Sequence, residues 1–250
     1  MKKANIKAHA AIIVIGNEIL SGRTQDINVS FLSKWLNDLG VRVKQVRIIE
    51  DTEESIIECV HELKDKFKYV FTTGGIGPTH DDITSKSISK AFKLKYGIHK
   101  EAYDILEKYY KPGEFTEGRK KMAKIPEGAL LIYNPSSGAP GFIVENIFCL
   151  PGVPSILKSM VDGLKDKITG GEKILSQTIS VQTVESEIAK SLEEVQNQFK
   201  SVEIGSYPFF RLGKIGVSIV IRSTEKKQID VCYKQIVSFL KKKEINIIRR

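Results

Sequence analysis

The chain has 250 residues, a formal net charge of +9 and 41% hydrophobic residues. This composition excludes a disordered, fibrous or collagen-like chain, and no apolar run approaches the roughly 20 residues that a membrane span needs. Residues 1–7 are basic but lead to no small-residue cleavage site, so we predict no signal peptide. Cys59, Cys149 and Cys232 are far apart and odd in number, which favours core thiols in a reducing cytoplasm over disulfides or a zinc site. We therefore expect a cytoplasmic protein with no membrane partner.

The charge surplus comes from lysine, because the chain has 31 lysines and 8 arginines spread over its length. Proteins that recognise specific nucleic-acid sequences usually cluster arginine and interleave aromatic residues. The densest basic block is residues 241–243, followed by Arg249 and Arg250. We interpret the surplus as a solvated surface and expect no nucleic-acid partner. The alternative is a patch for polyanions carried by residues 226–250.

Strands and helices alternate in the first part of the chain. Residues 8–15 form an apolar run that ends at a glycine, which is typical of a strand buried on both faces of a parallel sheet. A helix up to Gly40, a strand up to Ile49, a helix capped by Asp51 or Thr52 and a third strand follow. This order predicts an α/β fold with a doubly wound, mostly parallel sheet, which binds ligands at the carboxyl ends of its strands.

The rest of the chain predicts further helices and strands and a second domain. We expect a helical stretch over residues 82–124 with two breaks, then three strands between 129 and 150, and a helix opened by residues 151–154. Thr169-Gly170-Gly171 is the best linker candidate. The order β-α-β-β-α-β beyond it is the ferredoxin-like pattern of a small α+β domain. We predict domains at residues 1–169 and 172–250.

A glycine-rich segment over residues 72–84 follows the third strand. Its glycines, Gly74, Gly75 and Gly77, can leave N–H groups free to face an anion, and the helix beginning near Asp82 directs its positive end to the same place. The segment matches neither GxxxxGK[ST] nor GxGxxG. We interpret it as a phosphate or carboxylate loop, with a tight structural turn as the alternative.

Two carboxylates lie directly beside this loop. Asp81 and Asp82 either cap the next helix or face a ligand. Carboxylates beside a phosphate loop repel phosphate unless a divalent cation lies between them, and a hard ion such as Mg²⁺ would resolve that conflict. His80 is a candidate ligand or proton donor, although an exposed histidine is more often neither.

The segment over residues 16–28 is longer than an ordinary loop between a strand and a helix. Arg23 in it suits a phosphate through its planar guanidinium. In the structural alternative, Asp26 caps the next helix and Glu18 pairs with Arg23. The loops at 134–141 and 151–154 are explained equally well by turn chemistry and by a site. Six polar residues of the first segment are candidates: Asn17, Glu18, Ser21, Arg23, Asp26 and Asn28.

Four motifs occur in order: IGNEILSGRTQDIN at 15–28, TTGGIGPTHDDIT at 72–84, APGF at 139–142 and LPGVP at 150–154. Together they resemble the amino-terminal domain of the competence/damage-inducible protein A family (CinA-like), within the molybdopterin-binding, MoaB/Mog-like superfamily. EIGSYP at 203–208 resembles a motif of the small α/β domain that follows in these proteins. The resemblance covers nearly the whole chain, and the fold it implies agrees with the α/β interpretation.

The resemblance implies a metal-dependent pyrophosphatase that acts on ADP-ribose or a related dinucleotide, with Mg²⁺, Mn²⁺ or Co²⁺. By motif position, Asp26 and Asp82 match the two aspartates that act at the pterin-phosphate site of Mog-like proteins. We take these two as catalytic, and Asp81, Asp82, Glu18 and Asp26 as candidate metal ligands. The expected substrate-binding residues are Asn17, Ser21, Arg23, Thr73, Gly74, Gly75, Gly77, Thr79, Ser137, Gly138, Pro151 and Gly152.

Two other functions stay open. One is a molybdopterin-binding protein of cofactor biosynthesis without hydrolysis, whose ligand is a pterin phosphate rather than a nucleotide. The other is a nucleic-acid-binding accessory. The form Ile-Gly-Pro-Thr-His-Asp-Asp favours the pyrophosphatase, because it is the CinA form rather than the form of dedicated molybdopterin proteins.

The chain departs from the family pattern in three places. It ends without the carboxy-terminal domain of full-length CinA-like proteins, so we do not predict nicotinamide-nucleotide amidase activity. Ser137 stands where many relatives have glycine, and residues 181–186 lack a glycine that the family often has. A dimer or trimer is common in the superfamily, but the sequence specifies no homo-oligomer.

Overall fold

The structure is a computed structural model that describes residues 8–211 and 213–248. The basic start at 1–7, and Arg249 and Arg250 of the terminal basic block, lie outside the described residues. The chain divides into two compact units, Met1–Gly171 and Glu172–Arg250. Within the described ranges, no helix combines the length and the apolar character needed to cross a membrane.

The first unit is built on a mixed sheet of six strands in the order β2-β1-β3-β8-β7-β6. The first four strands in this order run parallel, and β7 is antiparallel to both of its neighbours. The predicted α/β class is therefore confirmed, and the sheet is mixed because β7 runs opposite to the other five strands. The strands are β1 (His9–Ile15), β2 (Arg42–Ile49), β3 (Tyr69–Thr73), β6 (Leu130–Ile132), β7 (Gly141–Val144) and β8 (Ile147–Leu150).

Helices cover both faces of this sheet, and β1 accordingly buries its side chains on both faces. Ala10, Ile12 and Val14 pack in one core, and their alternate neighbours pack in the other. The first core includes α2 (Asn28–Asp38), α7 (Pro154–Val161) and the 3₁₀ turn Asp162–Lys167; the second includes α3 (Glu53–Lys64) and α4 (Thr84–Ala91).

The stretch predicted as helical over residues 82–124 is more complex than expected. After α4 it contains β4 (Tyr96–Ile98), α5 (Lys100–Tyr109), α6 (Glu117–Lys121) and β5 (Lys124–Pro126), with β4 and β5 paired antiparallel. Three-residue strands are too short to show an alternating pattern, and their partner is distant in sequence. The single-turn helix α1 (Asn17–Leu20) is likewise too short for a periodic pattern to predict it.

The second unit has the predicted β-α-β-β-α-β order. Its four strands form an antiparallel sheet in the order β10-β11-β9-β12, and the helices bury the periodic positions that predicted them, such as Ile188, Leu192, Cys232 and Ile236. Its elements are β9 (Leu175–Val181), α8 (Glu185–Gln198), β10 (Glu203–Arg211), β11 (Lys214–Ser223), α9 (Lys226–Lys242) and β12 (Ile247–Ile248).

The predicted linker glycines are packed into the first unit. The Gly171 N–H donates to the Gly40 carbonyl at 3.0 Å, and a Cβ added at Gly170 would lie 1.5 Å from the Leu39 carbonyl oxygen. The Tyr69 hydroxyl accepts from the Thr169 N–H at 2.8 Å. This segment therefore closes the core beyond α2 before the second unit begins.

We predict that Gly170→Ala destabilises the first unit by more than about 1 kcal/mol, because the new methyl group collides with backbone. Gly163→Ala is the matched control, since a Cβ there meets nothing within 4 Å. Trp35, the single tryptophan, packs edge-on to Phe71 and reports unfolding of this unit by its fluorescence in urea. Equal urea midpoints of unfolding for Gly170→Ala and Gly163→Ala would contradict the close packing described at Gly170.

Candidate functional site

A cleft lies at the carboxyl edge of the first unit's sheet, where β1, β3 and β8 end. Its inner part has a volume of about 360 Å³ and is lined by the loops that follow these strands. An outer part of about 630 Å³ shares Glu18, Thr24, Asp51 and Asp81 with it. The edge predicted from the strand order is therefore the edge that carries the cleft.

The glycines after β3 form a tight turn that also lines the cleft. Gly74 has a φ of +105°, and a Cβ there would lie 2.2 Å from the Ile15 carbonyl oxygen. The Thr84 hydroxyl donates to the Gly74 carbonyl at 3.0 Å, and the Thr84 N–H donates to the Gly75 carbonyl at 2.9 Å. This turn fixes where α4 begins.

The amide of Gly74 is not available to an anion, because it donates to the Leu150 carbonyl at 3.1 Å. This corrects the expectation that three glycine amides face a phosphate. Gly75, Gly77, Pro151 and Gly152 line the inner cleft as expected. A Cβ on Gly75 would lie 2.2 Å from Thr84 Oγ1, and one on Gly77 would lie 2.7 Å from Asp82 Oδ2, so both glycines are required by the packing of the turn itself.

Residues 79–82 form what we call the acidic turn. The Thr79 N–H donates to Asp82 Oδ2 at 2.8 Å, while Thr79 Oγ1 lies 2.5 Å from Asp81 Oδ1 and 2.6 Å from Asp82 Oδ2. A hydroxyl has one proton, so it can donate to only one of the two carboxylates. The contact with the other carboxylate brings two oxygens together without a proton between them.

The acidic turn does not cap α4 as the sequence suggested. Ile83 occupies the N-cap position, and no side chain caps the helix there. Asp82 Oδ2 instead accepts a hydrogen bond from the N–H of Thr79, three residues earlier in the chain. His80 is 98% exposed, with Nδ1 4.0 Å from Asp81 Oδ1.

Hydrogen bonding lowers the pKa of Asp81 below its ordinary value. The Thr79 hydroxyl is the largest cause, followed by the backbone N–H of Asp81 itself and by the positive charges of His80 and Lys121. Asp81 therefore stays ionised beside the cleft at neutral pH.

The loop after β1 brings further acidic groups to the cleft. The carboxylate of Glu18 lies over Gly16, where an added Cβ would be 2.6 Å from Glu18 Oε1. Asp51, at the end of β2, accepts from the Asn17 N–H at 2.7 Å. Sequence reasoning considered Asp51 only as a helix cap, although its place after a strand was a usable signal.

The outer cleft gathers other expected residues. Asn17, Ser21 and Arg23 line it together with Glu18 and Asp51. Arg23 is the one cation among the residues that line either part of the cleft. The opposing carboxylates there are Glu18, Asp51, Asp81 and Asp82, so the described cleft is acidic within a basic chain.

Five of the expected catalytic, substrate-binding and metal-binding residues are not among those that line the cleft: Asp26, Thr73, Thr79, Ser137 and Gly138. Asp26 Oδ1 accepts from the Val29 N–H at 2.9 Å, which is the capping role of the structural alternative. Ser137 is held by Asn134, whose Oδ1 accepts from the Ser137 N–H at 3.1 Å. A Cβ at Gly138 would lie 2.8 Å from the Tyr109 ring, so this loop packs against α5.

Two buried side chains beneath the cleft have an unpartnered oxygen. Asn28 Nδ2 donates to the Gly152 carbonyl at 2.8 Å, but its Oδ1 has no partner in the structure. Thr73 Oγ1 is also buried without a partner, directly before Gly74. Buried polar atoms are seldom unsatisfied, so both oxygens are unusual, although neither residue is among those that line the cleft.

The acidic groups do not by themselves enclose a metal ion. Among the described residues, no group of three or more histidine, cysteine, aspartate or glutamate side chains could hold one. Mg²⁺ often binds proteins through one or two carboxylates and takes its other oxygens from water and substrate phosphates. The paired carboxylates of Asp81 and Asp82 fit that pattern.

A family model described as a probable molybdopterin binding domain matches residues 11–170. The chain belongs to this family. A model described as the middle domain of FAD synthase matches residues 173–248, which is the second unit.

Individual proteins are similar to this chain over most of its length. A protein from Archaeoglobus fulgidus is 36% identical over 86% of this chain and 91% of its own length. A protein from Pyrobaculum calidifontis is 36% identical over 80% of both chains. A solved structure of the protein CinA, of unknown function, from Thermoplasma acidophilum has a TM-score of 0.62 and 30% identity over 66% of this chain and 99% of that one. The CinA-like resemblance is thereby confirmed.

We predict that Thr79→Val raises the pKa of Asp81 toward its ordinary value, because the hydroxyl that stabilises the carboxylate is lost. A depressed pKa means that Asp81 stabilises the fold above its unfolded pKa and that this contribution is lost as the pH falls through the folded pKa. Carboxyl ¹³C NMR titration measures the change. His80→Asn should produce a smaller rise, and an unchanged Asp81 titration in Thr79→Val would refute the assignment.

Proposed function

We propose that the first unit hydrolyses the pyrophosphate of ADP-ribose or a related dinucleotide with the help of a divalent cation. The observation that carries the proposal is the convergence of Asp81 and Asp82 on one hydroxyl, in a cleft where a pyrophosphate would otherwise be repelled. A cation between the carboxylates and the phosphates would relieve both conflicts.

The residues present have distinct parts in this proposal. Asp81 and Asp82 would hold the cation, and the N–H and hydroxyl of Thr79 fix the orientation of the two carboxylates. Gly75 and Gly77 line the part of the cleft where a phosphate would lie, and Arg23 can bind phosphate oxygens with its planar guanidinium. When bound, the cation would supply charge neutralisation at the phosphates and acidify a water molecule.

Apolar side chains give the same cleft a surface for a planar ring. Ile15, Ile76 and Val153 line its inner part, and Val153 is 51% exposed. The unsatisfied oxygen of Asn28 lies behind Gly152 on the same side. Apolar walls with a few polar groups are typical of sites for small organic ligands, such as a nucleotide base.

The proposal predicts release of AMP from ADP-ribose in the presence of Mg²⁺, Mn²⁺ or Co²⁺ and no release in excess EDTA. Asp82→Asn should lower the rate by about 100-fold or more, since a charged group at the reacting phosphates is removed. Asp162→Asn is the control, because Asp162 pairs with Lys165 on the surface, outside the cleft lining. Absence of AMP with all three metals, or full activity of Asp82→Asn, would refute the proposal.

A second candidate is molybdopterin binding without hydrolysis, which the family match over residues 11–170 favours. In that case the cleft would hold a pterin phosphate, with Ile15, Ile76 and Val153 of its inner part against the pterin ring. Protein purified gently from a host that makes the cofactor should then carry pterin fluorescence and show no metal-dependent turnover. A preparation free of pterin that hydrolyses ADP-ribose would decide against this candidate.

A further inference from the structure

The short helix α6 lies against the acidic turn. A Cβ added at Gly118 would be 3.3 Å from the Pro78 carbonyl oxygen, so the helix backbone lies directly over the start of the turn. The Lys121 ammonium donates a hydrogen bond to the Thr79 carbonyl. The same carbonyl accepts from the Asp82 N–H at 3.3 Å. Lys121 therefore binds the backbone atom that also closes the turn.

Helix α6 is a fixed support rather than a loose loop. Thr116 caps it by accepting from the Arg119 N–H, and the Arg119 guanidinium lies 4.1 Å from the centre of the Tyr110 ring. Ala123, just beyond the helix, is fully buried in a small core with Leu106. The position of Lys121 is thus set by packing that does not involve the cleft.

We propose that Lys121 is a positioning residue that holds the two carboxylates of the acidic turn in place for a divalent cation. The inference rests on the proposed function, because it concerns the same cation site. The carboxylates of Asp81 and Asp82 repel each other because both contact the Thr79 hydroxyl. The Lys121 ammonium binds the backbone of the same turn and so opposes movement of the two carboxylates away from each other. Lys121 binds the turn through a carbonyl and so acts on the ion through the carboxylates.

The direction in which the affinity for the cation changes when Lys121 is removed distinguishes a positioning role from a purely electrostatic one. If Lys121 acted only as a nearby positive charge, its removal would strengthen cation binding, because like charges repel. If it positions the carboxylates, its removal weakens cation binding. Groups that orient metal ligands without touching the metal typically change affinity by about 10- to 100-fold when they are removed.

The test is Mn²⁺ binding to the full-length protein by isothermal titration calorimetry. We expect Lys121→Met to bind Mn²⁺ about tenfold more weakly than wild type, and Lys121→Arg to recover part of the loss because arginine can also donate to the carbonyl. Lys120→Met is the matched control: it removes the same charge from the same helix, but Lys120 pairs with Glu117 at 2.6 Å. The control should bind Mn²⁺ like wild type.

Hydrogen exchange provides a second measurement that does not depend on Mn²⁺. Amides of residues 79–82 should exchange faster in Lys121→Met than in Lys120→Met, at an unchanged thermal midpoint. Unchanged or tighter Mn²⁺ binding in Lys121→Met, with a wild-type protein that binds Mn²⁺, overturns this inference alone. A wild-type protein that binds no Mn²⁺ overturns the cation site of the proposed function and this inference with it.

Discussion

Gly74 is the point on which the geometry of the cleft depends, because the ends of three strands meet there. Its N–H binds the Leu150 carbonyl at the end of β8, and its Cα faces the Ile15 carbonyl at the end of β1. Gly152 stands against it on the other side, since a Cβ on Gly152 would lie 3.4 Å from the Gly74 Cα. A side chain does not fit at Gly74, because its Cβ would lie 2.2 Å from the Ile15 carbonyl oxygen. The loops that carry the acidic groups can therefore approach one another over the sheet edge.

The charge of the cleft is opposite in sign to the net charge of the chain. The protein carries a net +9, yet the cleft presents four carboxylates and one arginine among its described lining residues. A surplus of lysine on the surface raises the local concentration of anionic ligands over a long range, whereas groups within a few ångströms decide what stays bound. The cleft is therefore acidic within a basic protein, and the proposed cation would reverse the charge that an anionic ligand meets there.

The sequence predicted the long elements and the edge that carries the cleft, because both depend on periodic burial and on the order of strands. It could not predict β4 and β5, whose pairing is set by tertiary contacts between three-residue segments. The sequence also left the same two roles, helix cap or site residue, open for Asp26 and Asp82. Asp26 caps a helix and Asp82 does not, although an aspartate near a helix start fits either role. The contacts of Asp51 and Lys121 were not predicted, since their partners, Asn17 and Thr79, are distant in sequence.

The hydrolase and the pterin-binding candidates make one common demand on this cleft. Each requires a phosphate group to approach Asp81 and Asp82, and at neutral pH the Asp81 carboxylate stays charged because its pKa is lowered. Arg23 alone cannot offset four carboxylates, so binding of either ligand should depend on a cation. The difference between binding and hydrolysis then lies in whether a water molecule can reach the phosphorus. Such a water molecule would have to lie beside the polar residues of the outer part of the cleft, Asn17, Ser21 and Arg23.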